Sequence, residues 1–251
     1  MPVQHPLALQ ADHRLPLAQF LKSPLDQVPS DAWTCFPGDP DGNVAQLVAA
    51  ALWRLIAACD AVVDVHTPTR GGRYVPIAIL PGPDVAAAAA SRALGEAMGT
   101  GWVVAGSAGM YVARGILCVE AAAAGIPALT FEIGEGGRLE ETSVATGATC
   151  ILNALRHLGM IDGPAELPER THLMHGFLGL RARHGGLLAT LPPLGATVRA
   201  GDVLCRITSV FGDLLETIIA PQDGLLVRTT TMATVSQGER VATLGLPLGL
   251  A

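Results

Sequence analysis

The sequence predicts an α/β domain followed by a smaller all-β domain, and three observations predict it. From Asn43 to His157, helical and strand-like segments alternate, the pattern of a layered α/β domain. Further along, a unit of "Gly, strand, turn, Val-x-x-Gly, strand" occurs twice. Gly186-Leu187-Leu188-Ala189-Thr190 returns as Gly224-Leu225-Leu226-Val227-Arg228, and the triplet Val198, Gly201, Leu204 returns as Val235, Gly238, Val241. Finally, 251 residues that are 50% hydrophobic but only 4% aromatic, with 29 Gly and 18 Pro, favour small-residue packing and frequent turns over a long helical bundle.

In chain order, the Ala/Leu-rich stretch 44–59 predicts a helix packed on a sheet. The β-branched run 61–66 predicts a strand stopped by Thr67-Pro68, because proline cannot continue a ladder. A second strand over 74–80 ends at Pro81-Gly82-Pro83, and Asp84 is placed to cap a helix reaching Met98. A short strand over 102–105, a helix over 116–124 ended by Gly125 and a strand over 127–132 follow. That strand leads into the Gly-rich loop Ile133-Gly134-Glu135-Gly136-Gly137. A helix over 140–157, with Gly159 as its stop, closes the domain at 161. Residues 162–173, rich in Pro and Glu, form a linker. The two β units of 174–251 are each too small to bury their own apolar face, so they pack on each other. They resemble the barrel-sandwich fold of lipoyl and biotinyl modules. Such carriers need an attachment lysine, and Lys22 is the single lysine of the chain, so a structural or lid role is expected.

A net charge of -6 without a basic cluster gives no electrostatic footprint for nucleic acid. The N-terminus has no basic region ahead of a hydrophobic run, hence no signal-peptide pattern. The longest uncharged stretch, 97–113, is short for a bilayer span and interrupted by glycines, so no membrane association is expected. Five scattered cysteines with no C-x-x-C pair argue against a disulfide framework or a thiolate zinc site, and point to the cytoplasm.

The sharpest chemical feature is Asp64-Val65-His66 at the end of a strand. Alternation puts Asp64 and His66 on one face, where a neutral imidazole can bind a metal and a carboxylate can orient it; a hydrogen-bonded structural histidine is the plain alternative. Glu132 ends another strand, and serves there either as a general base for water or as a cap for the following N–H groups. His172 and His175 have a spacing that suits one helical face, but they fall in the linker, where a solvated or interdomain pair is expected. Arg70 and Arg73, just past the Asp64/His66 strand, are placed either to clamp a substrate carboxylate or to lie exposed in a turn. Neither a G-x-S-x-G elbow nor a phosphate loop is present.

Phe36-Pro37-Gly38-Asp39-Pro40-Asp41-Gly42, an Ala-rich helix, and then Asp60-Ala61-Val62-Val63-Asp64-Val65-His66 together resemble the centre of the succinylglutamate desuccinylase/aspartoacylase family. Glu120 through Gly134 and Gly147 through Met160 agree in order and spacing, as does the β-rich tail. The resemblance implies a carboxypeptidase-like mixed sheet flanked by helices and a zinc-dependent deacylase acting on the amide of an N-acyl amino acid. It also implies His66 as a zinc ligand and Glu132 as the catalytic glutamate.

The departures from the family pattern are specific. No His of this sequence has Glu three positions later, whereas the family draws its other two zinc ligands from a His-x-x-Glu. Pro2 through Leu9 resembles the strand that follows that segment, so the sequence reads as starting after it, with a short insertion around 27–30. Trp33-Thr34 stands where an Asn-Arg pair that holds substrate carboxylate is usual. Three readings follow: a zinc deacylase completed by a longer start or another polypeptide, a non-catalytic relative serving binding or assembly, or a metal site built with His5, His13 or His172. An unpaired sheet edge would favour a homo-oligomer or a companion subunit. The Trp33-Thr34 replacement predicts a substrate less acidic than succinylglutamate, with Arg70 and Arg73 as the residues to compensate.

Overall fold

The structure, a computed structural model, describes residues 32–69, 71–106, 110–190 and 192–248. Helix α1 (Val44–Ile56) begins at a capping box: the Asn43 side chain accepts from the N–H groups of Ala45 and Gln46, and Gln46 Oε1 accepts from the Asn43 N–H. Gly38, with a positive φ, packs so close to this helix that a Cβ would collide with the backbone of Ala50. Then come β1 (Val62–His66), β2 (Gly72–Ile79), α2 (Ala88–Ala97), β3 (Trp102–Val104), α3 (Leu117–Ala123), β4 (Ala128–Glu135) and α4 (Glu141–His157). Both α3 and α4 end in a glycine of positive φ with paired 6→1 and 5→2 bonds: Ile126 N–H to Ala121 O and Gly125 N–H to Ala122 O, then Met160 N–H to Leu155 O and Gly159 N–H to Arg156 O. Among the described residues no helix is long and apolar enough to cross a membrane.

Two boundaries differ from expectation. Asp84 does not cap α2, which starts at Ala88 without a side-chain cap, because the intervening residues turn instead. The segment Ile133-Gly134-Glu135 is strand rather than loop. Antiparallel pairing with β2 carries β4 on to Glu135, opposite Arg73.

The C-terminal part supplies β5 (His172–Arg181), β6 (Gly186–Thr190), β7 (Thr197–Val198), β8 (Val203–Thr208), β9 (Leu214–Ile219), β10 (Gly224–Thr230), β11 (Thr234–Val235) and β12 (Arg240–Pro247). The large sheet runs β1-β4-β2-β3-β5-β12-β10-β7, and a four-stranded sheet runs β11-β6-β8-β9. Because β10 also pairs with β2, the strands β2, β3, β5, β12 and β10 close a ring around Tyr74, Ile77, Met174 and Val227. Hydrogen bonding therefore runs through residue 174, where the sequence places a domain boundary. Mixed strand directions with helices on both faces make this a mixed α/β fold.

The repeat is visible as exchanged pairing. Strand β7 of the first copy pairs with β10 of the second, and β11 of the second pairs with β6 of the first. Asp202 Oδ2 accepts from the Arg199 N–H as Glu239 Oε2 does from the Ser236 N–H, each at 2.7 Å. Gly201 and Gly238 both sit at positive φ, and Val198 and Val235 are buried in one core with Leu204, Ile207 and Leu244. Each copy thus lends a strand to cover the other's apolar face.

Glu216 on β9 pins the turn between β5 and β6. It accepts from the N–H groups of Arg183 (2.8 Å) and His184 (3.0 Å) and from Arg183 Nε (3.3 Å). Burial pushes its carboxyl up, but these donors outweigh burial and hold it below the usual range. A depressed folded value gives stability that is present above the unfolded value and lost as pH falls through the folded one. Glu216→Ala should cost about 2 kcal/mol in urea unfolding at neutral pH, with the deficit shrinking below about pH 4.

Candidate active site in the cleft beside β1 and β4

Parallel pairing of β1 with β4 sets Asp64 opposite Thr130 and His66 opposite Glu132. Residues two apart on a strand share a face, as do directly paired residues, so these four side chains converge on one side of the sheet. The other side carries Val63, Leu129 and Phe131 into the core beneath α2 and α4. His66 Nε2 lies 2.9 Å from Asp64 Oδ2. The 3₁₀ turn Ala32–Thr34 brings Trp33 edge-on to both His66 (5.8 Å between centroids) and Tyr111 (5.7 Å). The sequence position that departs from the family pattern is therefore inside the site. These groups line a cleft of about 1360 Å³ whose far wall comes from β10 and the segment 232–240.

Glu132 is the buried carboxylate of this cleft, 6% exposed. The Tyr111 hydroxyl donates to its Oε1 at 3.0 Å, while its Oε2 has no protein partner among the described residues. Burial raises its pKa, with His66, the Tyr111 hydroxyl and Arg228 pulling it back and Asp64 adding to the rise. Tyr74 and Tyr111, the two tyrosines of the chain, both line the cleft, and burial raises both phenols.

Arg70 lies outside the described residues. Arg73 is turned away: Tyr74, next on β2, lines the cleft, so alternation sends Arg73 to the other face, where its Nη2 pairs with Glu140 Oε2 at 2.8 Å. That corrects the expectation of a clamp at Arg73, because the strand begins at Gly72 and fixes the parity. His172 and His175 lie on β5, not on a helix, and a spacing of three sends them to opposite faces. His172 stacks on Trp102 at 4.3 Å. His5 and His13 lie outside the described residues. A separate apolar cavity of about 540 Å³, lined by Val65, Phe131, Leu139, Val144 and Ile151, lies on the α4 side and holds none of this chemistry.

Sequence reasoning missed Tyr111, Arg228 and Arg240. Arg228 carried a signal: it interrupts the apolar run of β10 at the position that Thr190 holds in the first repeat. It lies opposite Tyr74 across the β10–β2 pairing, and Gly72 makes room for it, since a Cβ there would stand 2.5 Å from Arg228 Nη2. As for a metal, His66 is the imidazole of the cleft, with Asp64 and Glu132 beside it. Zinc requires at least three protein ligands, and among the described residues no group of three or more His, Cys, Asp or Glu is placed to hold a metal ion. The described residues do not by themselves fit a zinc site.

A family model for the succinylglutamate desuccinylase/aspartoacylase catalytic domain matches residues 1–158. The chain is 27% identical over 230 residues to the N-alpha-acetyl-L-2,4-diaminobutyric acid deacetylase of Halomonas elongata, covering 83% of this chain and 63% of that protein's length. Among solved structures it is similar to the product-bound ectoine utilization protein EutE of Ruegeria pomeroyi, with TM-score 0.76 and 27% identity over 90% of this chain and 69% of that one. It is also similar to a succinylglutamate desuccinylase/aspartoacylase from Rhodobacter sphaeroides, with TM-score 0.75 and 28% identity over 95% and 74%.

Removing the Tyr111 hydroxyl leaves Glu132 Oε1 buried without its donor. Tyr111→Phe should therefore lower stability by about 1–2 kcal/mol, read by chemical denaturation.

Proposed function

Because the chain belongs to the succinylglutamate desuccinylase/aspartoacylase family, we propose that it is a hydrolase of the deacylase type, cleaving the amide of an N-acyl amino acid or a related small molecule. The observation that carries this reading is the state of Glu132. It is a buried carboxylate with one oxygen held by Tyr111 and the other lacking a protein partner, facing a cleft large enough for a small molecule. The similarity to a deacetylase of an N-acetylated amino acid supports the substrate class.

In this reading Glu132 Oε2 takes a proton from water as the water oxygen bonds to the amide carbon, and hands that proton to the nitrogen as the C–N bond breaks. Tyr111 keeps the carboxylate pointed at the water, and the raised basicity of a buried carboxylate suits the first transfer. Trp33 and Tyr111 wall the site with aromatic rings and limit water to the positions that the polar groups define. His66, with Asp64 beside it, is the residue we assign to the zinc that the family uses. The described residues fall short of a full ligand set, so the steps above run only through the chain's own groups.

The non-catalytic alternative, a binding or assembly subunit, is favoured by that same shortfall of ligands. The two separate in one experiment: acyl release from a panel of N-acyl amino acids by the full chain supplied with zinc. Release is expected, and Glu132→Gln should reduce it by about 10²–10⁴-fold while leaving the fold intact. Turnover unchanged in Glu132→Gln would discard the assignment, and no release by the unmodified chain would favour the binding role.

A further inference from the structure

Arg228 is a buried cation that the deacylase reading has not used. It is 9% exposed, its Nη1 donates to the carbonyl of Arg240 at 3.3 Å, and it lines the same cleft as Glu132. Among the described residues, none of the ion pairs includes Arg228 or Arg240. A guanidinium cannot shed its proton to escape burial, and a charge held out of water without a direct ion-pair partner is costly. Arg240 lines the cleft too and repels it, while Glu132 attracts it without closing an ion pair. Arg228 sits where β10 pairs with β2, and its Nη2 lies over Gly72.

Among the described residues, the charged side chains lining the cleft are Arg181, Arg228 and Arg240 against Glu132 and Glu239. Arginines outnumber carboxylates among these, which suits an anionic group of the ligand. We propose that Arg228, with Arg240 beside it, anchors the carboxylate of the substrate's amino-acid part, and so sets the scissile amide against Glu132. The proposal rests on the deacylase reading of Glu132. A planar guanidinium fork matches a carboxylate in two parallel hydrogen bonds, which fixes orientation as well as affinity. It also gives the cleft a cationic carboxylate partner that comes from the C-terminal β unit, where the Trp33-Thr34 segment carries no charge.

The test is calorimetric binding to the full chain in a Glu132→Gln background, so that the ligand stays intact. The probes are N-acetyl-L-alanine, N-acetyl-L-2,4-diaminobutyrate and the α-carboxamide of each. The carboxylates should bind about 10- to 100-fold more tightly than their carboxamides, the range of a charge-assisted hydrogen-bond pair. Adding Arg228→Gln should bring the ratio to within about threefold of unity and leave carboxamide binding in place, whereas Arg228→Lys, with the charge but not the fork, should keep part of it. If Arg228→Gln does not fold, Arg228→Lys decides by itself, with the ratio expected to fall at least about threefold. A preference that persists in Arg228→Gln, an unchanged ratio in Arg228→Lys, or absence of preference or of binding in the parent would overturn the anchor.

The two readings fail separately. Acyl release from carboxamides as fast as from carboxylates would remove the anchor and leave the deacylase. Carboxylate-selective binding that depends on Arg228, without acyl release from any substrate, would remove the deacylase and leave the anchor.

Discussion

The parallel register between β1 and β4 puts His66 beside Glu132 and Asp64 beside Thr130, and the rest of the cleft is arranged around that placement. Shifting the pairing by one residue would send Glu132 into the apolar core under α4 and bring Phe131 or Ile133 to the cleft. The register is held by burial on both faces. Val63, Leu129 and Phe131 fit only the α2/α4 side, and Val62 and Ala128 only the side covered by α1 and α3. Hydrophobic packing thereby fixes the position of ionisable groups that contribute little to it.

Burial then gives those groups their character. Glu132, in a largely apolar wall, is pushed towards its neutral form by desolvation, and the Tyr111 hydroxyl and the nearby cations restrain the shift. A carboxylate in water would be a weaker base with no preferred direction. Trp33 adds to this setting, since its ring touches His66 and Tyr111 and takes cleft volume that a polar pair would fill with hydrogen-bonding groups.

The C-terminal β unit belongs to the site rather than standing beside it. Its two copies exchange short strands, so each covers part of the other's apolar face, and β10 and β5 join the sheet of the α/β part through β2 and β3. That attachment brings Arg228 opposite Tyr74 and makes the segment 232–240 the outer wall of the cleft. A change in how the β unit seats on β2 would move the cations of the cleft relative to Glu132.

By itself the sequence determined what depends on local periodicity and turn chemistry: the alternation of helices and strands, the glycine stops at Gly125 and Gly159, the two-copy β unit, and the pairing of Asp64 with His66 on one face. Glu132 was legible through its place in a strand and through the family resemblance. Tertiary structure alone decided which distant residues meet. Arg73 looked available because it follows His66 closely in sequence, yet the parity of β2 turns it to Glu140, a contact 67 residues away. Tyr111 reaches Glu132 from 21 positions away, and Arg228 reaches the same cleft from 96, only because sheet pairing and the closed strand ring fold those segments over it. Local patterns set the direction in which a side chain points, but the partner it finds is set by strand order and register, which follow from how whole apolar faces bury one another.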